Sequence, residues 1–215
     1  QMTAYTNGLG RVWTFTYNEA RHLVKSVAPT GDTANFTYDA AGDVTRTEYK
    51  NGAGPVTFWE ETQFDELSRV LKTIGAQGQQ WAYSHDKEDN LVTETDPLSN
   101  VTNNGFDALN RLISVVDRQS FTTGKTYNAA DQLTEYTDPR TLKTTFTYNG
   151  FGEVISEVSP DRGTIGYTYD QRGLVKSRTD GRGVAVNYSY DNGGRLTLID
   201  YPAGGISDQV ITWDL

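Results

Sequence analysis

Cysteine is absent from this chain of 215 residues, and histidine occurs only twice. Without cysteine there are no disulfide staples and no thiolate metal sites, and neither redox compartment is favoured. No apolar run is long enough to span a bilayer as a helix, and no segment keeps an apolar period of about 3.6 residues. Basic residues are in the minority, 19 Lys and Arg against 28 Asp and Glu, a net charge of −9. They are also scattered, so the clustered cations that a phosphate backbone requires are missing and nucleic acid is excluded as a partner. No Gly-x-Ser-x-Gly elbow offers a nucleophile.

What the chain does contain is a repeat. An aromatic-type residue recurs at Tyr17, Tyr38, Phe64, His85, Phe106, Tyr127, Tyr148, Tyr169 and Tyr190, at intervals of 21 residues except for 26 between Tyr38 and Phe64. Each of these anchors is followed by Asp or Asn, as in Asp39, Asp170 and Asp191, and six residues after the anchor by Leu or Val. Self-similarity at a fixed period means an array of one supersecondary unit.

Between anchor and aliphatic lies turn chemistry, plainest in Tyr38-Asp39-Ala40-Ala41-Gly42-Asp43-Val44. The Asp can accept backbone N–H groups, and Gly42, Gly152, Gly173 and Gly194 suit a positive φ. Where glycine is missing, Asp89, Asn110 and Asp131 stand in, residue types that tolerate that conformation. A second turn falls about eleven residues after the anchor, as in Asp96-Pro97, Asp138-Pro139, Asp180-Gly181, Ala28-Pro29 and Ser159-Pro160. Two turns per repeat leave room for two strands of roughly six residues, hence one hairpin per repeat. One strand alternates cleanly, Trp13, Phe15, Tyr17 or Val186, Tyr188, Tyr190, with Thr or Ser between. That pattern lays an aromatic row on one sheet face and polar residues on the other. The faces of the other strand stay unassigned. The expectation is an all-β antiparallel meander of about nine 21-residue hairpins.

The five additional residues before Phe64 are expected in a lengthened surface turn at Asn51-Gly52-Ala53-Gly54-Pro55. Asp200-Tyr201-Pro202-Ala203-Gly204-Gly205 reads as an enlarged second turn, and Trp213-Asp214 opens a tenth repeat that stops at Leu215. Residues 1–215 are therefore expected to be a single array, cut mid-repeat at both ends from a longer one, so the lack of a leader says nothing of export.

Tyr169-Asp170-Gln171-Arg172-Gly173-Leu174-Val175, followed by Asp180-Gly181-Arg182-Gly183, resembles the YD repeat of the Rhs family. Phe106-Asp107-Ala108-Leu109-Asn110-Arg111-Leu112 is similar to its Tyr-Asp-x-x-Gly-Arg-Leu core, and the match recurs in register along nearly the whole chain. The resemblance implies a curved or spiralling β-strip forming part of a hollow shell, as in bacterial Rhs polymorphic toxins, toxin complexes, wall-associated proteins and teneurins. It further implies a secreted or cell-surface bacterial protein. Its partners would be the remainder of the same polypeptide and a C-terminal effector. Family self-cleavage uses an Asp-containing motif at the end of the core; Asp96-Pro97-Leu98-Ser99 and Asp138-Pro139-Arg140-Thr141 recur as ordinary turns, so no catalytic residue is carried over.

His85 fills an anchor slot and reads as a structural ring; His22 sits beside the aliphatic slot, where a surface role is as good a reading. Carboxylates such as Glu60-Glu61 and Asp86-Lys87-Glu88-Asp89 lack the ligand spacing of an EF-hand. No cofactor or metal is expected. Asn35, Asn100 and Asn187 head glycosylation sequons, which a bacterial source would leave bare. The aromatic rows are first of all packing, with glycan contact at Trp13, Trp59 and Trp81 as the alternative. Edge strands make self-association of an isolated segment a further expectation.

Overall fold

In the computed structural model, which describes residues 1–202 and 205–213, every regular element is a β-strand. Of the two expectations near the end of the chain, Ala203 and Gly204 of the enlarged turn and Asp214 and Leu215 of the tenth repeat lie outside the described residues. Packing divides the chain into Gln1–Asn110 and Arg111–Leu215. The division falls inside the turn that follows Phe106, and no linker composition marks it. In the first unit ten strands run from Ala4–Thr6 to Val101–Phe106, each paired antiparallel with its neighbour in sequence. In the second, strands from Leu112–Val116 to Gln209–Val210 repeat the pattern.

Both turns of a repeat prove to be the same object. At the anchor turn, Asp65 N–H donates to the Arg69 carbonyl, and Ser68 N–H donates to the Asp65 carbonyl. At the second turn, Asp96 N–H pairs with the Asn100 carbonyl and Ser99 N–H with the Asp96 carbonyl. This is a type I turn closed by a residue at positive φ, one of the compact ways to join antiparallel strands. Asp89, Asn110 and Asp131 occupy that position as expected, with φ of 67°, 60° and 60°. Arg21, Ser68, Ser99, Ser120 and Thr141 occupy it too, which their residue types do not announce. Local hydrogen bonding overrides their preference: Asp138 Oδ1 accepts from the N–H groups of Arg140 and Leu142 at 2.8 and 2.9 Å and holds the turn around Thr141.

At the anchor turns that open on Tyr17, Tyr38, Phe64, His85, Tyr127, Tyr148, Tyr169 and Tyr190, the register shifts beside the anchor, leaving one residue of the following strand unopposed. Such a bulge bends and twists the strand. Thr16 faces Lys25 and Lys25 faces Asn35, so a row that starts one residue before an anchor arrives three residues before the next. The same step recurs at Thr147, Ser156 and Gly166. Consecutive repeats are thus staggered by two residues, roughly 7 Å along the strand.

The longer interval before Phe64 is built differently from the expectation. The connection at Asn51–Pro55 is no longer than the one at Ala28–Asp32; the additional residues lie in strands Val44–Lys50 and Val56–Phe64. Adding an odd number of residues to a hairpin would turn one strand's side chains to the wrong face. A register shift at Tyr49/Lys50 leaves Thr57 unopposed and restores the pattern.

The aromatic row of Val12–Tyr17 alternates as expected, with Trp13, Phe15 and Tyr17 half-buried and Thr14 and Thr16 exposed, whereas at Gln80–His85 Trp81 is exposed and Ser84 half-buried. Within each unit, however, no second layer covers these rows among the described residues. Among the described residues Ile165 is the one fully buried hydrophobic side chain.

Two substitutions with opposite signs test the turn assignment. Gly194, at φ 79°, has room for a Cβ, 3.7 Å from Leu174 Cδ1, so Gly194→Val is penalised for its backbone alone, by roughly 1 kcal/mol or more. Thr141 is β-branched, exposed and held at φ 66°, so Thr141→Gly is expected to raise stability by about 1 kcal/mol. Urea unfolding of the two variants checks both.

Candidate functional site: the seam between repeats

The recurring chemistry of this chain lies where one repeat meets the next. Because of the stagger, the residue six places after an anchor extends past the last pair of the following ladder: Leu23 has no opposite number when Lys25, Ser26 and Val27 face Asn35, Ala34 and Thr33. Its carbonyl needs another donor. The next anchor supplies one, for Tyr38 Oη donates to the Leu23 carbonyl at 2.8 Å. Tyr127 to Leu112, Tyr148 to Leu133, Tyr169 to Val154 and Tyr190 to Val175 repeat the bond at 2.7 to 3.0 Å. Tyr17 makes it to the Met2 carbonyl at 3.1 Å.

At Phe106 and at Trp213, other groups reach the same acceptor. Phe106 has no hydroxyl, and Asn104 Nδ2 donates to the Leu91 carbonyl at 2.9 Å instead. Trp213 reaches the Leu196 carbonyl through its indole N–H at 2.8 Å. His85 occupies its slot as an imidazole whose Nδ1 is buried without a partner. Burial raises the pKa of the Tyr169 and Tyr190 phenols, which keeps them in the donating form.

The turn carboxylates are the second element of the seam. Asp39 Oδ1 accepts from the N–H groups of Ala41, Gly42 and Asp43, each at 2.9 Å. Hydrogen bonds from the Arg69 side chain and amide hold Asp65 at a pKa of about 2, below the ordinary 3.8. Asn90 lowers Asp86, Arg172 lowers Asp170, Arg182 lowers Asp180, and the backbone and side chain of Arg195 lower Asp191. At Asp138 burial pulls upward but is outweighed by the Leu142 and Arg140 amides and the Arg140 guanidinium.

The remaining residues singled out from sequence are dispersed. Trp13 and Trp81 lie in anchor rows on one face, six strands apart. Trp59 faces Glu48 and lies on the opposite side of the sheet from Phe64, beneath Arg46 at 4.5 Å. The three indoles therefore form no common surface. Glu61 pairs with Arg46, and the sequon side chains Asn100 and Asn187 donate to Asp96 and Asp200. His22 stacks on Tyr38 at 4.7 Å. Among the described residues no group of three or more His, Asp or Glu is arranged to hold a metal ion.

Hairpins of uniform register, clasped edge to edge, define a tandem-repeat β scaffold. The chain belongs to the RHS Repeat family, whose profile matches residues 64–101, 106–141, 127–164 and 169–206, more than half of its length. No curated protein matches it. Among solved structures it is similar to TcdB2-TccC3 without its hypervariable C-terminal region, at 14% identity over 93% of this chain and 13% of that one, TM-score 0.69. It is similar to TcdB2-TccC3-Cdc42 at 14% identity over 88% of this chain and 12% of that one, TM-score 0.62. A Photorhabdus luminescens Tc holotoxin pore is similar at 13% identity over 88% and 13%, TM-score 0.56. At these identities the likeness is one of fold, and the chain spans about an eighth of the length of the chains it matches.

Nothing in the anchor row itself reveals the clasp, because the acceptor is a backbone carbonyl set by the stagger. The one sequence signal is the preference for Tyr over Phe at a position where either ring would pack. Tyr148→Phe leaves the Leu133 carbonyl without its donor and is expected to cost about 1 to 3 kcal/mol. His85→Tyr supplies a hydroxyl to the Val70 carbonyl and removes the orphaned nitrogen, raising stability by about 1 kcal/mol. Thermal and urea midpoints of the two variants carry opposite signs.

Acid response follows from the depressed carboxylates. The unfolded chain takes up protons near the ordinary 3.8, while folded Asp65 resists until about 2. The stabilisation is thus fully present above about pH 4 and is lost as pH falls toward 2. Asp65→Asn should flatten that part of the stability profile, measured by urea midpoints between pH 2 and 6.

Proposed function

We propose that this chain is a non-enzymatic structural segment of a secreted bacterial Rhs-type protein. In this reading it builds part of a curved β-shell that encloses or presents a C-terminal toxin or effector domain. The observation that carries it is the shallow burial of the strands: among the described residues Ile165 is the one fully buried hydrophobic side chain, and half-buried aromatic rows of this kind call for more polypeptide against them. Membership of the RHS Repeat family supports the same reading, as does the fold shared with TcdB2-TccC3 structures, one of them described as lacking a hypervariable C-terminal region. The seam explains how a strip can be extended, since each repeat offers the next an unpaired carbonyl and a turn edge, and stability accumulates through nearest neighbours. The partners are then the rest of the same polypeptide and its effector, and the location is outside the cell or on its surface.

Limited proteolysis of the full-length gene product tests this. The C-terminal segment should survive within intact protein and be degraded when residues 1–215 are deleted; equal cleavage in both would overturn the shell. An adhesion or glycan-binding role predicts something else, saturable binding on a glycan array that disappears in folded Trp81→Ala. Concentration-dependent association of the isolated segment by sedimentation would report exposed strand edges.

A further inference from the structure

Along the anchor-turn edge of each unit, one residue of a repeat touches one residue of the next at every described seam but that of the enlarged repeat. In the first unit Arg69 Nη1 donates to Asp89 Oδ1 at 2.8 Å and to the Asp86 carbonyl at 2.7 Å. Asn90 Nδ2 donates to Asn110 Oδ1 at 3.0 Å. In the second, Arg111 Nη1 donates to Asp131 Oδ1 at 2.7 Å and to the Asn128 carbonyl at 3.1 Å. The donor always stands four places after its turn Asp or Asn, and the acceptor three places after the next one. At the other seams the acceptor position is glycine and the preceding side chain lies over it. His22 and Gln132 come within 3.1 Å of a Cβ built on Gly42 and Gly152 and Glu153 within 2.8 Å on Gly173, while Leu174 stands at an ordinary contact distance of 3.7 Å on Gly194.

The residue types are matched. Arginine precedes aspartate, an amide precedes asparagine, and His, Gln, Glu or Leu precedes glycine, which offers neither charge nor side chain to clash. The seam of the enlarged repeat is the exception, for Asp43 Oδ2 is buried there without a partner. We propose that the residue four places after the turn Asp or Asn reads the residue three places after the following one, so that neighbouring repeats are matched in pairs and their order along the strip is specified. The ion pairs add little by themselves, since Asp89 and Asp131 are 69% and 70% exposed. Discrimination comes from the mismatches, such as Glu153 set before an aspartate, which place like charges or an obstructing side chain at the seam. This holds whether or not the strip encloses an effector.

The decisive experiment writes the pairing where it is not native. Gly152→Asp is expected to lower the thermal midpoint of the intact chain by several degrees. Adding Gln132→Arg, in the preceding repeat, should restore at least half of the shift, while adding Leu174→Arg, in the following repeat, should not. Equal recovery from both, or recovery from neither, overturns the proposal. If Gly152→Asp prevents folding, Asp131→Lys sets a cation against Arg111 and lowers the midpoint. Arg111→Gln added to it should then regain part of the loss, and no regain overturns the proposal equally.

Discussion

A strand that ends in a bulge and is staggered against its neighbour leaves a carbonyl outside the ladder, and a half-buried sheet edge cannot leave that group unpaired without cost. The tyrosine hydroxyl of the next repeat meets it, and most of the remaining architecture follows from that need. The stagger must be constant, so that the ring arrives over the right peptide. The bulge must recur, so that the carbonyl is presented. The turn must always have the same length, because one residue more or fewer would turn the row to the other face. The longer hairpin before Phe64 illustrates the last constraint, since Thr57 stands unopposed and the faces are preserved. Asn104 at one seam and Trp213 at another meet the same kind of carbonyl without a phenol, so the acceptor and not the phenol is what the seam has to satisfy.

This arrangement places stability in an unusual location for a chain of its size. With Ile165 as the one fully buried hydrophobic side chain described, the interior contributes less than in a layered domain. Turn capping by Asp and Asn, the anchor hydroxyls and the turn-to-turn contacts take a larger share. Such terms are local and nearly additive, which suits a strip that grows by repetition. They also explain the acidic composition without invoking a cationic ligand: several of the 28 carboxylates are spent capping turns, with Asp96, Asp138 and Asp180 each accepting two backbone N–H groups.

From sequence alone the period, the all-β class, the antiparallel meander, the two turns and the aromatic-against-threonine alternation were legible, because each rests on residues close in the chain. The resemblance carried by the Tyr169–Val175 heptad led to the RHS Repeat family, which the matched ranges establish. Glycine or its Asn and Asp substitutes marked most positive-φ positions for the same local reason. Thr141 and Ser99 escaped, since nothing in a threonine or serine announces a left-handed backbone that a neighbouring carboxylate imposes. The shallow burial of the described rows escaped too, because a half-buried aromatic and a core aromatic alternate alike.

Only the tertiary structure could decide the stagger, and with it what the anchors are for. A 21-residue spacing says that repeats are alike but not how far each slides past the last. That slide is set by backbones paired across two successive turns, as when Thr16 faces Lys25 and Lys25 faces Asn35, and it converts a row of rings into donors for particular carbonyls. It also brings Arg69 to Asp89 and Arg111 to Asp131, residues that in the chain are separated by a full hairpin. Local chemistry therefore determined the unit, and the register between units, a long-range property, determined how units recognise one another.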